Sequence, residues 1–419
     1  MKKVVIIGGG FAGINLANGL VGKNEFEVIV VDRNNYNFFP PLLYQIATGY
    51  LESSNICYPF RRLWRGKKNI RFHMAEFERA MPSENKIILS TGEMNYDYLV
   101  FATGTKTNYF GLENVQKNAL PMKTLNDALE LRNYILQVME SAVRTTDERE
   151  RQKLLTIVIV GAGPTGVEVS GMLAEMKKKI LPKDYPELIG YKPKIYLVDA
   201  VDKVLANMSE KSQADTFDAL IKLGVNIELG MQVKDYINDT VIFANNRAIE
   251  TKTLVWAAGV TCPVFEGIPL DCYGRGKRLI VDEFNAVKGY QNVFALGDTC
   301  LQTSDKNFPN GHPQMAQPAI QQGRLLAKNL IATEFGKVRQ PFSYYDKGNM
   351  AIIGWNKAVV DLPKPKIHLK GFIAWFTWVF VHLMFLINYR NRVRTLYNWI
   401  TAYFSKDQSL RMIIRPKQK

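Results

Sequence analysis

Short runs of β-branched and aliphatic residues that end in glycine recur along the chain and set its plan. Val4 to Ile7 runs into Gly8-Gly9-Gly10-Phe11-Ala12-Gly13, a helical pattern follows through Leu20, and a second run, Glu27 to Val31, stops at Asp32. Apolar runs of this length bounded by turn residues predict strands buried on both faces of a parallel sheet. The arrangement then repeats. Leu154 to Val160 predicts a strand, Gly161-Ala162-Gly163-Pro164-Thr165-Gly166 a turn, Val167 to Met176 a helix, and Lys194 to Val198 a strand that stops at Asp199. Three more strands end in small residues: Tyr98 to Ala102 leads into Thr103-Gly104, Leu254 to Ala257 into Ala258-Gly259, and Asn292 to Leu296 into Gly297-Asp298.

Each repeat is a strand, a tight turn, a helix and a second strand closed by an acid, the unit that holds a dinucleotide. Gly8 lets the chain turn, Gly10 leaves room for a pyrophosphate, and Gly13 lets the helix pack close to the strand, with helix N–H groups facing the phosphates. Phe11 and Ala12 complete the turn. Asp32, followed by Arg33, lies 22 residues beyond Gly10, where a carboxylate reaches ribose hydroxyls. Gly161, Gly163, Pro164, Thr165, Gly166 and Asp199 take the corresponding places in the second repeat, which is longer because Lys177 to Lys194 is a basic insertion. The expected fold class is α/β, with two nested Rossmann-like dinucleotide-binding domains. The first covers 1–125 and 263–340, the second covers 126–262, and a C-terminal region follows over 341–419. Two dinucleotide sites in one chain suit electron transfer from a nicotinamide to a flavin. A duplicated nucleotide-binding domain without redox work is the bland alternative.

Charge changes the picture at the end of the chain. Lys plus Arg number 54 against 39 for Asp plus Glu, a formal net charge of +15 over 419 residues, which draws a surface to polyanions. Asp361 to Lys419 holds eleven Lys or Arg and two Asp, so most of the excess sits there. Those charges flank a long apolar run instead of forming a basic surface with interleaved exposed aromatics, which argues against nucleic acid. Cys57, Cys262, Cys272 and Cys300 have no CxxC and no partnering histidines, so no metal site is expected. The N-terminal apolar run leads into glycines rather than a cleavage site and reads as a first strand, with a cytosolic enzyme body.

The motifs together resemble the type II NADH dehydrogenases, single-subunit NADH:quinone oxidoreductases that pump no protons, within the two-dinucleotide-binding-domain flavoproteins. GGGFAG at Gly8 to Gly13, ATG at Ala102 to Gly104, GAGPTGVE at Gly161 to Glu168 and ALGD at Ala295 to Asp298 carry the superfamily. PPLLYQIATG at Pro40 to Gly49, AQPAIQQG at Ala316 to Gly323 and the tail from Val381 to Phe404 carry the family. The resemblance implies non-covalent FAD in the first unit, NADH in the second, ubiquinone or menaquinone as acceptor, a homodimer and a place in the respiratory chain. It implies cofactor contacts at Ala102, Thr103, Gly104, Ala258, Gly259, Gly297 and Asp298, and more loosely at Lys357. Glu168, Gln317 and Gln321 are the implied catalytic residues, with Tyr44, Gln45, Ile46, Gly49 and Ala316 around the quinone. Many relatives carry Glu where this chain has Asp199; an acid there disfavours the 2′-phosphate of NADPH. Sulfide:quinone oxidoreduction would need a cysteine pair, and Cys57 with Cys300 is the pair considered. A peripheral membrane protein that retains FAD without turnover is the non-enzymatic rival.

The tail supplies the membrane expectation. Gly371 to Ile387 is seventeen residues without a formal charge and includes Trp375, Trp378 and His382. Arg390, Arg392 and Arg394 follow, then Tyr397, Trp399, Ile400, Tyr403 and Phe404 at helical spacing. Apolar area beside basic charge predicts two helices, over about 371–404, lying in an anionic leaflet at the cytoplasmic face of the cell inner membrane.

Overall fold

The computed structural model describes residues 1–405 and 410–414. The end of the expected C-terminal region, 406–409 and 415–419, lies outside the described residues. The chain forms two compact units: one of 1–38, 58–106 and 260–346, the other of 39–57, 107–259 and 347–419.

The first unit is built on a five-stranded parallel sheet ordered Val293–Ala295, Tyr98–Phe101, Lys2–Ile7, Phe26–Asp32, Ile70–Met74. Val4, Val5, Ile6 and Ile7 are all buried, as a strand covered on both faces requires. Pairing of Val293–Ala295 with Tyr98–Phe101 brings the late strand back into the first sheet across nearly two hundred intervening residues, as the glycine pattern predicts. The helix Phe11–Gly19 leaves the carboxyl end of the central strand and packs against the long helix Ala316–Glu334.

The second unit repeats the plan. Its parallel sheet runs Leu120–Pro121, Thr253–Trp256, Thr156–Val160, Lys194–Val198, Asn226–Glu228, with the helix Pro164–Lys179 leaving the central strand. The expected strand from Leu154 starts instead at Thr156, because Leu154 closes a short helix, Glu148–Leu154. Before it lies a helix absent from the sequence expectations, Leu125–Arg144, which opens on a reciprocal cap between Thr124 and Asp127 and buries Ala128, Leu131, Ile135 and Met139 at helical spacing.

A C-terminal antiparallel sheet of Asn349–Gly354, Lys357–Pro363 and Lys366–Lys370 belongs to the same unit. It packs on the Pro164 helix at one point of very close approach. A Cβ on Gly171 would lie 1.7 Å from the Ile353 carbonyl oxygen, so only glycine lets helix and strand meet there.

Two helices end the unit, Gly371–Phe385 and Tyr389–Ser405. Among the described residues no helix is long and apolar enough to cross a membrane. Each helix has an inward row, Ala374 and Trp378 on the first, Asn391, Thr395, Trp399 and Ala402 on the second. Trp378 is 1% exposed, whereas Phe372, Ile373, Phe376 and Phe380 are 55% to 65% exposed. The unbroken apolar run hides this division, since a residue that packs on protein and one that faces outward are both hydrophobic.

Candidate functional sites

The glycine turns of the two units are copies of one another in detail. Gly8 has φ +106° and Gly161 φ +107°, a conformation other residues rarely adopt. A Cβ on Gly8 would lie 2.4 Å from the Ala102 carbonyl oxygen, and one on Gly161 would lie 2.8 Å from the Ala257 carbonyl. Gly13 and Gly166 sit so close beneath the turn that a Cβ would come within 2.0 Å and 1.8 Å of the Gly8 and Gly161 oxygens. The middle glycines differ in kind. The nearest atom to a Cβ on Gly10 is 3.9 Å away, and nothing lies within 4 Å of one on Gly163. Open space over these two residues is the room a pyrophosphate needs.

Gly10 and Gly163 are also the N-caps of their helices, and no side chain caps either helix. Neither first turn holds an acid, so both helix ends present N–H groups and a positive dipole to an anion. The closing acids are equivalent too. In the first unit the Gly9 amide donates to Asp32 Oδ2 at 2.8 Å and the Asn34 amide to Oδ1 at 2.8 Å. In the second the Ala162 amide donates to Asp199 Oδ2 at 2.6 Å and the Val201 amide to Oδ1 at 2.9 Å. Each carboxylate thus pins its turn to the second strand and keeps lone pairs for further donors. Burial raises the Asp32 carboxyl above its ordinary value, against the lowering by the Asn34 and Gly9 amides and by Arg33, which is exposed beside it.

Around the first turn, Phe11 and Ala12 open the helix, and Thr103 and Gly104 follow the Tyr98–Phe101 strand, where the Gly104 amide donates to Thr299 Oγ1 at 3.1 Å. Gly297 and Asp298 form a tight turn, and Thr105 Oγ1 donates to Asp298 Oδ2 at 3.4 Å. Gln317 and Gln321 follow Ala316 on the uncapped first turns of the Ala316–Glu334 helix. Gln321 is engaged locally: its Nε2 donates to the Tyr345 carbonyl at 2.9 Å and its Oε1 accepts from the Tyr345 amide at 3.1 Å. Gln317 Oε1 accepts from the Tyr344 hydroxyl at 3.5 Å.

Around the second turn, Pro164 and Thr165 open the helix, and Ala258 and Gly259 follow the Thr253–Trp256 strand. Glu168 is 8% exposed. Burial pushes its carboxyl well above the usual carboxylate range, and a hydrogen bond with the Ile352 backbone only partly opposes this. Tyr44 is buried too; burial, then the Glu168 charge, push its phenol upward. Gln45 Nε2 donates to the Tyr44 hydroxyl at 2.8 Å, and Gln45 Oε1 accepts from Trp399 Nε1 at 2.7 Å. Ile46 is fully buried and Gly49 takes a positive φ just beyond the short helix Leu43–Ala47. Lys357 is half-buried at the start of its strand, after a two-residue turn of Trp355 and Asn356.

The cysteines are free thiols. Burial pushes Cys57 up to about 12 and Cys300 to about 11, which disfavours the thiolate that sulfur chemistry requires.

Residues 2–323 match the family described as pyridine nucleotide-disulphide oxidoreductase, and 346–407 match the NDH2 C-terminal domain. A type II NADH:quinone oxidoreductase of Mycobacterium tuberculosis, NdhA, is 35% identical over 96% of this chain and 87% of its own length. A second from the same organism, Ndh, is 34% identical over 96% and 88%. The chain belongs to the type II NADH:quinone oxidoreductases. A Plasmodium falciparum NDH2 structure in complex with NADH shares the fold, with a TM-score of 0.87 at 21% identity, covering 99% of this chain and 100% of that one. A sulfide:quinone oxidoreductase from Aquifex aeolicus also shares it, at TM-score 0.72 and 22% identity, covering 94% and 92%.

Within this type II NADH:quinone oxidoreductase, sequence reasoning missed Gly171 and the inward roles of Trp378 and Trp399. Gly171 stands three residues beyond Glu168 in a run of helix, and a glycine inside a helical pattern is itself a signal of close packing. The tryptophans carry no such signal.

Proposed function

We propose that the two glycine turns divide the work of the enzyme, the first unit holding FAD and the second NADH. The activity is FAD-dependent transfer of two electrons from NADH to a quinone, without proton pumping. The observation that carries two dinucleotide sites is the doubling itself: two positive-φ glycines, two uncapped helix ends and two acids that each clamp a turn and retain lone pairs; the order, FAD first and NADH second, follows the family resemblance. Asp32 binds the adenosine ribose of FAD and Asp298 binds farther along that cofactor. Bound FAD supplies the chemistry that the side chains lack, accepting a hydride from NADH and passing two electrons to quinone. Asp199 binds the NADH ribose and, as an anion, repels a 2′-phosphate.

Glu168 holds a proton at a pH where an exposed glutamate has lost it, and so serves to deliver one to a quinone oxygen. Gln317 serves as a quinone-side donor. The test is anaerobic stopped flow. NADH is expected to bleach the yellow protein and quinone to restore the colour; in Gln317→Ala the bleaching stays fast while recovery slows. Slow bleaching would remove Gln317 from the quinone side. Asp199→Asn is expected to raise the relative kcat/KM for NADPH, and an unchanged ratio would remove Asp199 from the ribose site.

Peripheral attachment to an anionic bilayer at the cytoplasmic face of the membrane rests on the outward row of Phe372, Phe376 and Phe380 and the exposed Arg390 and Arg394. Burial pushes His382 down to about 4, so it adds no charge to the apolar helix. Phe376→Glu with Phe380→Glu removes about 1.5–3 kcal/mol of burial per side chain. Co-sedimentation with anionic liposomes is expected to fall at least about tenfold, since 1.4 kcal/mol is a factor of ten. Undiminished co-sedimentation would place attachment elsewhere.

A further inference from the structure

The chain that follows the Ala316–Glu334 helix turns back along it and is gripped twice by side-chain amides. Asn329 Nδ2 donates to the Gln340 carbonyl at 2.8 Å, and its Oδ1 accepts from the Gln340 amide at 2.9 Å. Gln321, about two turns nearer the start of the helix, pairs with the Tyr345 carbonyl at 2.9 Å and the Tyr345 amide at 3.1 Å in the same way. Each amide stands in for a neighbouring strand at one residue of the returning segment. Since a backbone N–H only donates and a carbonyl only accepts, the orientation of both amides is settled. Gln321 Nε2 then carries a second N–H whose direction the first one fixes.

Between the two grips the segment is held from inside the first unit. Asp305 Oδ2 accepts from the Tyr344 amide at 2.9 Å and from Ser343 Oγ at 3.4 Å, and its Oδ1 accepts from the Asn307 amide at 3.0 Å. His312 Nε2 lies 3.1 Å from the same Oδ2, and both side chains are buried. A carboxylate only accepts, so the ring is the Nε2–H tautomer and donates. Burial raises the Asp305 carboxyl, but the Tyr344 amide, His312 and the Asn307 amide outweigh it and hold the group below its ordinary value. The holding group is therefore ionised, and bonds to an ionised acceptor are about twice as strong as neutral ones. Tyr344 is buried, with its hydroxyl 3.5 Å from Gln317 Oε1 and 3.5 Å from Asp346 Oδ1.

From Asp305 the hold passes to the two glutamines through Tyr344 and Tyr345. Resting on the quinone-side reading of Gln317, we propose that Asp305 and His312 are positioning residues for quinone reduction: they fix the segment 342–345, and the segment fixes Gln317 and Gln321 at the start of the helix. A glutamine side chain that is free beforehand loses rotamer freedom when it binds an acceptor. Here that loss falls on folding instead, and the Gln321 amide stands in one arrangement before the quinone arrives.

The test is anaerobic stopped flow on the FAD-loaded full chain, reduced by NADH and reoxidised by a short-tailed ubiquinone or menaquinone, whichever serves the wild type faster. His312→Phe removes the donor to Asp305 and keeps an aromatic ring among Phe308, Phe342 and Tyr344. Reoxidation is expected to slow by about three- to tenfold, the size of one hydrogen bond, while reduction by NADH stays within about twofold of wild type. His312→Gln puts an amide nitrogen in place of Nε2 and is expected to restore the rate. Asp305→Asn is expected to slow reoxidation further, and the His312 pair decides the matter whether or not that variant folds. Amide exchange of 342–346, followed by mass spectrometry, is expected to quicken in His312→Phe and to return in His312→Gln. Unchanged exchange in His312→Phe, equal slowing of both half-reactions, or wild-type reoxidation there while Gln317→Ala is slow overturns the positioning role and leaves the quinone reading standing. Reduced wild-type protein that ferricyanide reoxidises and neither quinone does overturns the quinone reading, and the proposal with it.

Discussion

Gly10→Val is expected to give a folded, colourless protein, and Gly163→Val a yellow protein that NADH bleaches slowly. Both glycines adopt extended backbone, with φ −78° at Gly10 and −74° at Gly163, where valine is comfortable. Neither Cβ would meet protein closer than 3.9 Å. The added methyl groups instead fill the space over the helix end where a pyrophosphate lies. In the first unit the cofactor is excluded and the flavin absorbance of purified protein is lost. In the second the cofactor stays and the substrate is displaced; a misplacement of about 1 Å costs on the order of a hundredfold in rate. Absorbance near 450 nm and the stopped-flow rate of bleaching by NADH measure the two outcomes. Yellow Gly10→Val protein reduced by NADH at the wild-type rate would show that the first turn is not the flavin site.

Gly171→Val should act in the opposite way, through the fold and not through a ligand. Its Cβ would lie 1.7 Å from the Ile353 oxygen and 2.7 Å from the Ile353 carbonyl carbon, so the C-terminal sheet must move away from the Pro164 helix. Overpacking of a core contact costs about 1–3 kcal/mol, and backbone against backbone belongs at the upper end. For a unit of this size, about 3 kcal/mol lowers the Tm by roughly 6–12 °C. The same shift carries away Ile352, whose backbone hydrogen-bonds Glu168, and Trp355, which stacks on Tyr403. Red-shifted indole emission is therefore expected with the loss of stability. Gly171→Ala is the milder companion and should fall between wild type and valine. A Tm within a degree of wild type for the valine variant would contradict the close packing.

The Gly163 and Gly171 variants separate two uses of glycine in one helix. At Gly163 a side chain meets nothing and only a ligand notices; at Gly171 a side chain meets a carbonyl and the fold notices. The motif containing Gly163 is readable because its spacing is imposed by phosphate geometry, which is the same wherever a dinucleotide binds. Gly171 is set by one strand almost two hundred residues later, and nothing near it in the chain announces that strand.

The two dinucleotide units were legible from residues alone. A buried parallel strand must be continuously apolar, a turn over a pyrophosphate must be glycine, and a ribose ligand must be an acid at the end of the next strand; all three demands are local. Even the return of Val293–Ala295 to the first sheet showed in the pattern. The C-terminal region was legible only by kind. Its apolar and basic composition marked two helices, but hydrophobicity has no sign for direction. Tertiary structure decided that Trp378 and Trp399 turn inward while Phe376 and Phe380 turn outward, that Trp399 hydrogen-bonds Gln45 from 354 positions away, and that Glu168 is buried deeply enough for its carboxyl to rise well above the usual carboxylate range. Those facts depend on which surfaces meet after distant segments pack, and burial, the quantity that sets both the pairing and the proton, exists only once they have.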